Sequence, residues 1–151
     1  MHDLEIVKNR IVTGGFPELS GIEIYPEYKK IKDGYLEFYR IKKGTYQINV
    51  DRSLGNATLG VVEGGTAHEL AHIARDNKRW RIFHTFDMFL YNNWRWYETR
   101  DERRTDILVV ERGYGQQLLE FVRYANERRE DFTAKDGLTA EELERMLAGG
   151  I

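Results

Sequence analysis

The chain contains no cysteine. Disulfide frameworks, thiolate zinc sites and cysteine nucleophiles are therefore excluded. Histidine is scarce, with only His2, His68, His72 and His84, so a metal site must combine these with carboxylates. Proline occurs at Pro17 and Pro26 and nowhere later, which leaves the remaining sequence free of that helix breaker. No run approaches the roughly 18 apolar residues of a membrane span. The start, Met1-His2-Asp3-Leu4-Glu5, lacks the basic and apolar segments of a secretion signal, so the chain is expected to be soluble, intracellular and cytoplasmic. An excess of one charge is missing as well. The 23 Lys+Arg against 25 Asp+Glu leave a formal charge of -2, and any basic partner surface has to be local.

What is present suffices for a core. Of 151 residues, 41% are apolar, which predicts one domain over residues 1–151 rather than a disordered tail. The first third, 1–55, reads as strand-rich. Gly21 to Tyr25 alternates apolar and polar, Tyr35 to Arg40 is an aromatic run after Lys32-Asp33-Gly34, and Thr45 to Val50 follows Lys43-Gly44. Short glycine-containing connectors between such runs predict hairpins and a small antiparallel sheet.

From 56 to 130 the pattern is helical. Ala57 to Ala74 carries apolar residues at helical spacing, with Asn56 as a candidate cap. Its three glycines, Gly60, Gly64 and Gly65, each cost about 1 kcal/mol against alanine and so point to close packing. Further helices are expected over about Trp80 to Tyr97, Asp101 to Arg112 (ending at Gly113) and Gln116 to Arg129. A tail helix beginning at Thr139 lies within 131–151. Strands first and helices afterwards predict an α+β fold.

The chemistry concentrates in His68-Glu69-Leu70-Ala71-His72, an HExxH sequence within the best helical segment. Residues four apart share a helix face, so two imidazoles can reach one ion. Glu69, offset by one position, can take a proton from a metal-activated water. With 4 His and 16 Glu in the chain, chance yields this pattern on the order of once in a hundred such sequences. The implied cofactor is Zn2+.

Several groups compete to be the third ligand. A metzincin needs histidine six residues after His72, where Lys78 stands. Glu102-Arg103-Arg104-Thr105-Asp106 offers ExxxD, in which Glu102 binds metal and Asp106, one turn on, orients a ligand histidine through its free N–H. The pattern recurs at Glu127 to Asp131, in a stretch that reads as a solvated face. Thr99 and Glu102 could alternatively form a capping box. His84, 12 residues beyond His72, is close to the third-histidine spacing of SprT-like metalloproteases, with Thr85 where they carry glycine.

With HELAH, ERRTD 30 residues further on, and a strand-rich beginning, the sequence resembles the gluzincin metallopeptidases, the thermolysin-like clan, in small single-domain form. The resemblance covers roughly residues 35 to 125. It implies a zincin-like fold, with His68, His72 and Glu102 as zinc ligands, Glu69 as general base and Asp106 behind the ligands. It also implies a peptide or protein substrate, paired with an edge strand above the cleft for which Thr45 to Val50 is the candidate. His84 and Tyr114 are rival oxyanion stabilisers, as are Arg103 and Arg104.

Basic residues interleave with Trp80, Trp94 and Trp96 over 78–104. Such interleaving can bind single-stranded nucleic acid, but the nearby Asp87, Glu98 and Asp101 favour a neutralised, solvated face. The tail is expected to close the domain, with partner binding or inhibition of the cleft as the other roles open to it. The expected function is a zinc-dependent peptidase. The alternatives are a SprT-like, DNA-associated protease using His84, and a metal-binding interaction domain without catalysis.

Overall fold

A computed structural model of the chain describes residues 1–79, 95–128 and 137–149. It is a mixed α+β structure. Helix α1 (Leu4–Gly15) is followed by strands β1 (Glu23–Lys29), β2 (Leu36–Lys42) and β3 (Thr45–Asp51). Then come helices α2 (Leu59–Arg79), α3 (Arg95–Val109), α4 (Gly115–Arg128) and α5 (Ala140–Gly149). No helix among these residues is long and apolar enough to cross a membrane.

Helix α1 departs from the strand-rich reading of 1–55. The Asp3 carboxylate accepts the Ile6 amide at 3.1 Å, which caps the helix start. Leu4, Val7, Ile11 and Val12 form its buried stripe, the spacing an amphipathic helix needs.

The sheet has the order β1-β3-β2. Strands β2 and β3 pair antiparallel across Lys43-Gly44, where Gly44 supplies the positive φ of 75° the turn requires. β1 joins β3 in parallel, so the expected all-antiparallel sheet is corrected to a mixed one. Pro26 lies in β1, and an edge strand tolerates a residue that donates nothing. The chain then crosses to the far side of β3, and Asp51 holds that crossing. Its Oδ2 accepts the Ile31 amide at 2.7 Å, and its own amide donates to the Tyr35 carbonyl at 2.7 Å. β3 is thereby the central strand, with Tyr46, Ile48 and Val50 buried. It is not the edge that Thr45 to Val50 was expected to be; β2 and β1 are the edges.

Helix α2 runs through the middle of the molecule. It starts at Thr58, whose hydroxyl accepts the Val61 amide at 3.4 Å, and not at Asn56. Every residue from Val61 to Ala67 is buried. Asp76, near its other end, accepts from Tyr46 Oη at 2.9 Å and from Arg40, fastening α2 to β3 and β2. The sequence's second expected helix lies mostly outside the described residues. The third begins earlier than expected, since α3 is continuous from Arg95. Gly113, with φ of 88° inside a π-helical turn, joins α3 to α4.

The α2 glycines permit close approach, as their cost to the helix suggested. A methyl at Gly64 would run into the backbone of Gln117 in α4, whereas one at Gly60 would meet only the carboxylate of Glu120. Alanine should gain about 1 kcal/mol of helix propensity at either site. At Gly64 the two backbones must separate, so Gly64→Ala is expected to destabilise by about 1–3 kcal/mol net. Gly60→Ala should be neutral or stabilising, because the Glu120 side chain can swing aside. Thermal unfolding of the two variants checks the contrast.

Candidate metal centre

The centre is built where α2 runs antiparallel to α3. His68, His72 and Arg75 recur along α2 at intervals of four and three, and Asp101, Glu102, Thr105 and Asp106 line one stripe of α3. Ascending α2 pairs with descending α3: His68 meets Asp106, His72 meets Glu102 and Thr105, and Arg75 meets Asp101.

His68 Nε2 and His72 Nε2 lie 3.0 Å apart. The Glu102 carboxylate straddles them, with Oε2 3.1 Å from His68 Nε2 and Oε1 3.2 Å from His72 Nε2. A tetrahedral ion with bonds of about 2.0–2.1 Å separates its donors by about 3.3 Å, and these spacings match. Among the described residues, His68, His72 and Glu102 form a cluster whose donor atoms lie within 4.8 Å of one another.

The outward nitrogens decide what the inward ones offer. His68 Nδ1 donates to Asp106 Oδ1 at 2.8 Å, and a carboxylate can only accept. Thr105 Oγ1 donates to the Asp101 carbonyl at 3.0 Å, so it accepts from His72 Nδ1 at 3.4 Å. In their neutral, metal-binding form both imidazoles keep a proton on Nδ1 and present the Nε2 lone pair inward. Two imidazole nitrogens and a carboxylate converging on one point call for a positive charge, which a proton or a metal ion supplies. The residues fit a zinc ion.

Arg75 supports the outer layer, donating to the Asp101 carbonyl at 2.8 Å and to Thr105 Oγ1 and the Asp101 carboxylate. Phe38 of β2 stacks on His72 at 5.6 Å between centroids, with the planes 19° apart. These partners were not read from the sequence. The signal for Arg75 was its place three residues after His72; that for Thr105 was its place three after Glu102.

Burial acts on His68, Glu102 and Glu69. It pushes His68 down, but the hydrogen bonds and charges of Asp106 and Glu102 outweigh it and hold the imidazole well above its ordinary pKa. For Glu102, burial raises the pKa, and the bonds and charges of His68 and His72 overcome that to hold it well below the carboxylate range. Glu69 is raised chiefly by burial, with the two histidines opposing. Only 8% of its surface is exposed, and no described residue hydrogen-bonds its carboxylate.

The other candidates stand elsewhere. His84 lies outside the described residues. Tyr114 packs under Gly14 and Gly15 of α1, with its hydroxyl 3.5 Å from the Arg10 carbonyl, and is not at the cluster. Arg103 is engaged by Glu142, and Arg104 is exposed. His2 donates to the Ala57 carbonyl at 2.9 Å. Glu127 is exposed beside Arg128, the solvated face its neighbours predicted. Thr99 lies within α3, so Glu102 is not part of a capping box at a helix start. Most of the basic and aromatic stretch 78–104 falls outside the described side chains.

Compared with known protein families, curated protein sequences and solved structures, the chain gives no match.

Zinc content should fall from about one per chain to near zero in His68→Ala, and largely in Glu102→Ala. Thr105→Val, which keeps the shape but removes the acceptor for His72, should weaken affinity about 10-fold. Because zinc must displace protons from the raised His68, affinity should rise with pH through neutrality, with protons released on binding. Chelator competition and calorimetry in buffers of different ionisation enthalpy measure both.

Proposed function

We propose that the chain is a zinc-dependent peptidase of gluzincin type, with His68, His72 and Glu102 holding the metal and Glu69 as general base. The observation that carries this reading is the convergence of two Nε2 atoms and a carboxylate beside Glu69, a buried carboxylate with no described hydrogen-bond partner. Two imidazoles among three donors favour zinc over calcium or magnesium.

Zinc held there would supply a Lewis acid that lowers the pKa of a water toward about 7 and polarises a peptide carbonyl. Glu69 follows His68 directly and so sits about 100° around α2 from it. Its carboxylate takes the proton of the attacking water and delivers it to the amide nitrogen as the C–N bond breaks, leaving a carboxylate and an amine. Burial raises its proton affinity above that of a solvated glutamate, which suits a group that must accept a proton and then give it up.

The proposed substrate is an extended peptide. Among the described residues β2 is an edge strand, and its Phe38 stacks on a ligand histidine, so the described sheet edge nearest the ligands belongs to β2. Pairing along it would read backbone more than side chain. Glu102 is favoured over His84 as third ligand because its carboxylate already spans both Nε2 atoms.

Glu69→Gln should retain zinc and lose about 10²–10⁴-fold in turnover of a peptide library. Cleavage by that variant at the wild-type rate would remove the mechanism. A wild type that binds zinc and cleaves no peptide would assign the centre to a metal-binding interaction domain instead.

A further inference from the structure

Asp106 has two oxygens, and only one faces the metal cluster. Oδ1 accepts from His68 Nδ1 at 2.8 Å, and Oδ2 accepts the backbone amide of Leu138 at 2.7 Å. The residue is 3% exposed. Its second donor comes from the segment just ahead of α5, more than thirty residues further along the chain.

That segment is also held against α3 by Arg103, about one turn before Asp106. Arg103 makes a fork to Glu142, with Nη1–Oε2 at 3.0 Å and Nη2–Oε1 at 2.9 Å, and Nη1 also reaches the Gly137 carbonyl at 3.3 Å. Glu142 is also half of a capping box: it accepts the Thr139 amide at 2.9 Å, and Thr139 Oγ1 accepts the Glu142 amide at 3.2 Å. Leu138 and Leu143 are buried, which anchors the two ends of this turn. Gly137 packs so closely that a methyl there would overlap Asp106 Oδ2.

We propose that the segment Gly137–Glu142 is a positioning clamp for the metal centre, acting through the Leu138 amide on Asp106 and through Asp106 on His68. The clamp rests on the reading of His68 as a ligand. A carboxylate gripped at Oδ2 cannot rotate about its last bond, so Oδ1 stays in line with His68 Nδ1 and the opposite nitrogen stays aimed at Glu102 and His72. Glu102, Arg103 and Asp106 lie within five residues of one helix, so the ligand, the anchor of the clamp and the residue it grips move as a unit. The C-terminal helix is in this way part of the centre without touching it.

The test uses the full chain with Gly137→Ala, Glu142→Gln and, as control, Glu144→Gln, which alters an exposed pair of the same helix with Arg123. Zinc affinity is measured by chelator competition, the cobalt-substituted protein by visible absorption, and the His68 Nδ1 proton of the metal-free protein by NMR. Gly137→Ala is expected to weaken zinc about 10-fold or more, to alter the cobalt spectrum and to shift the His68 proton. Glu142→Gln should do the same to a smaller extent, and Glu144→Gln should do none of it. Unchanged affinity and an unchanged His68 proton in a folded Gly137→Ala protein would overturn the clamp. If that variant does not fold, Glu142→Gln decides by the same two readouts. A wild type that takes up no zinc would overturn the metal reading alone, and the His68 proton would then decide the clamp.

Discussion

A neutral imidazole has one lone pair to offer, and in this chain the groups behind each ring decide where it points. Asp106 and Thr105 accept the Nδ1 protons of His68 and His72, which leaves the two Nε2 atoms, 3.0 Å apart, as the places where a further proton or a metal ion is held. The pair is not comfortable without a positive charge between the rings. The outer hydrogen bonds therefore do more than orient the two rings: they turn an electrostatic demand inward, which Glu102 increases.

Meeting that demand requires α2 and α3 to lie at one register. The contact between them is polar, with Arg75, Asp101 and Thr105 continuing the line begun by His68, His72 and Glu102. Polar networks hold a register because a slip leaves buried donors and acceptors unmatched, at about 1–3 kcal/mol each. On its other side α2 meets α4 through Gly64, backbone against backbone, and Asp76 ties it to the sheet. The helix that carries both clustered histidines is thus fixed from several directions, as a preorganised site needs.

The legible part of this arrangement was the local part. HELAH could be read because both histidines lie on one helix, where spacing alone places them together. The three strands could be read from their aromatic runs, but not their order, since pairing β1 with β3 depends on a crossing that Asp51 secures from 20 residues away. α1 was obscured by the turn-rich residues that follow it, although Asp3 and the spacing of Leu4, Val7 and Ile11 signalled a helix. Glu102 and Asp106 came from a resemblance, not from periodicity. Thr105, Arg75 and the Leu138 amide depend on how α3 registers against α2 and α5, and nothing local encodes that.

The absence of cysteine takes on a meaning beside this cluster. His72 and Glu102 are 30 residues apart in sequence, and an ion shared between them would close that length of chain into a loop. A covalent cross-link of that span is worth about 3–4 kcal/mol in lost freedom of the unfolded chain. Ion binding would contribute comparably through its preference for the folded state. The centre would then do for this chain what a disulfide does for a secreted domain of similar size. Starvation for the ion would deplete the folded molecules themselves as well as their chemistry.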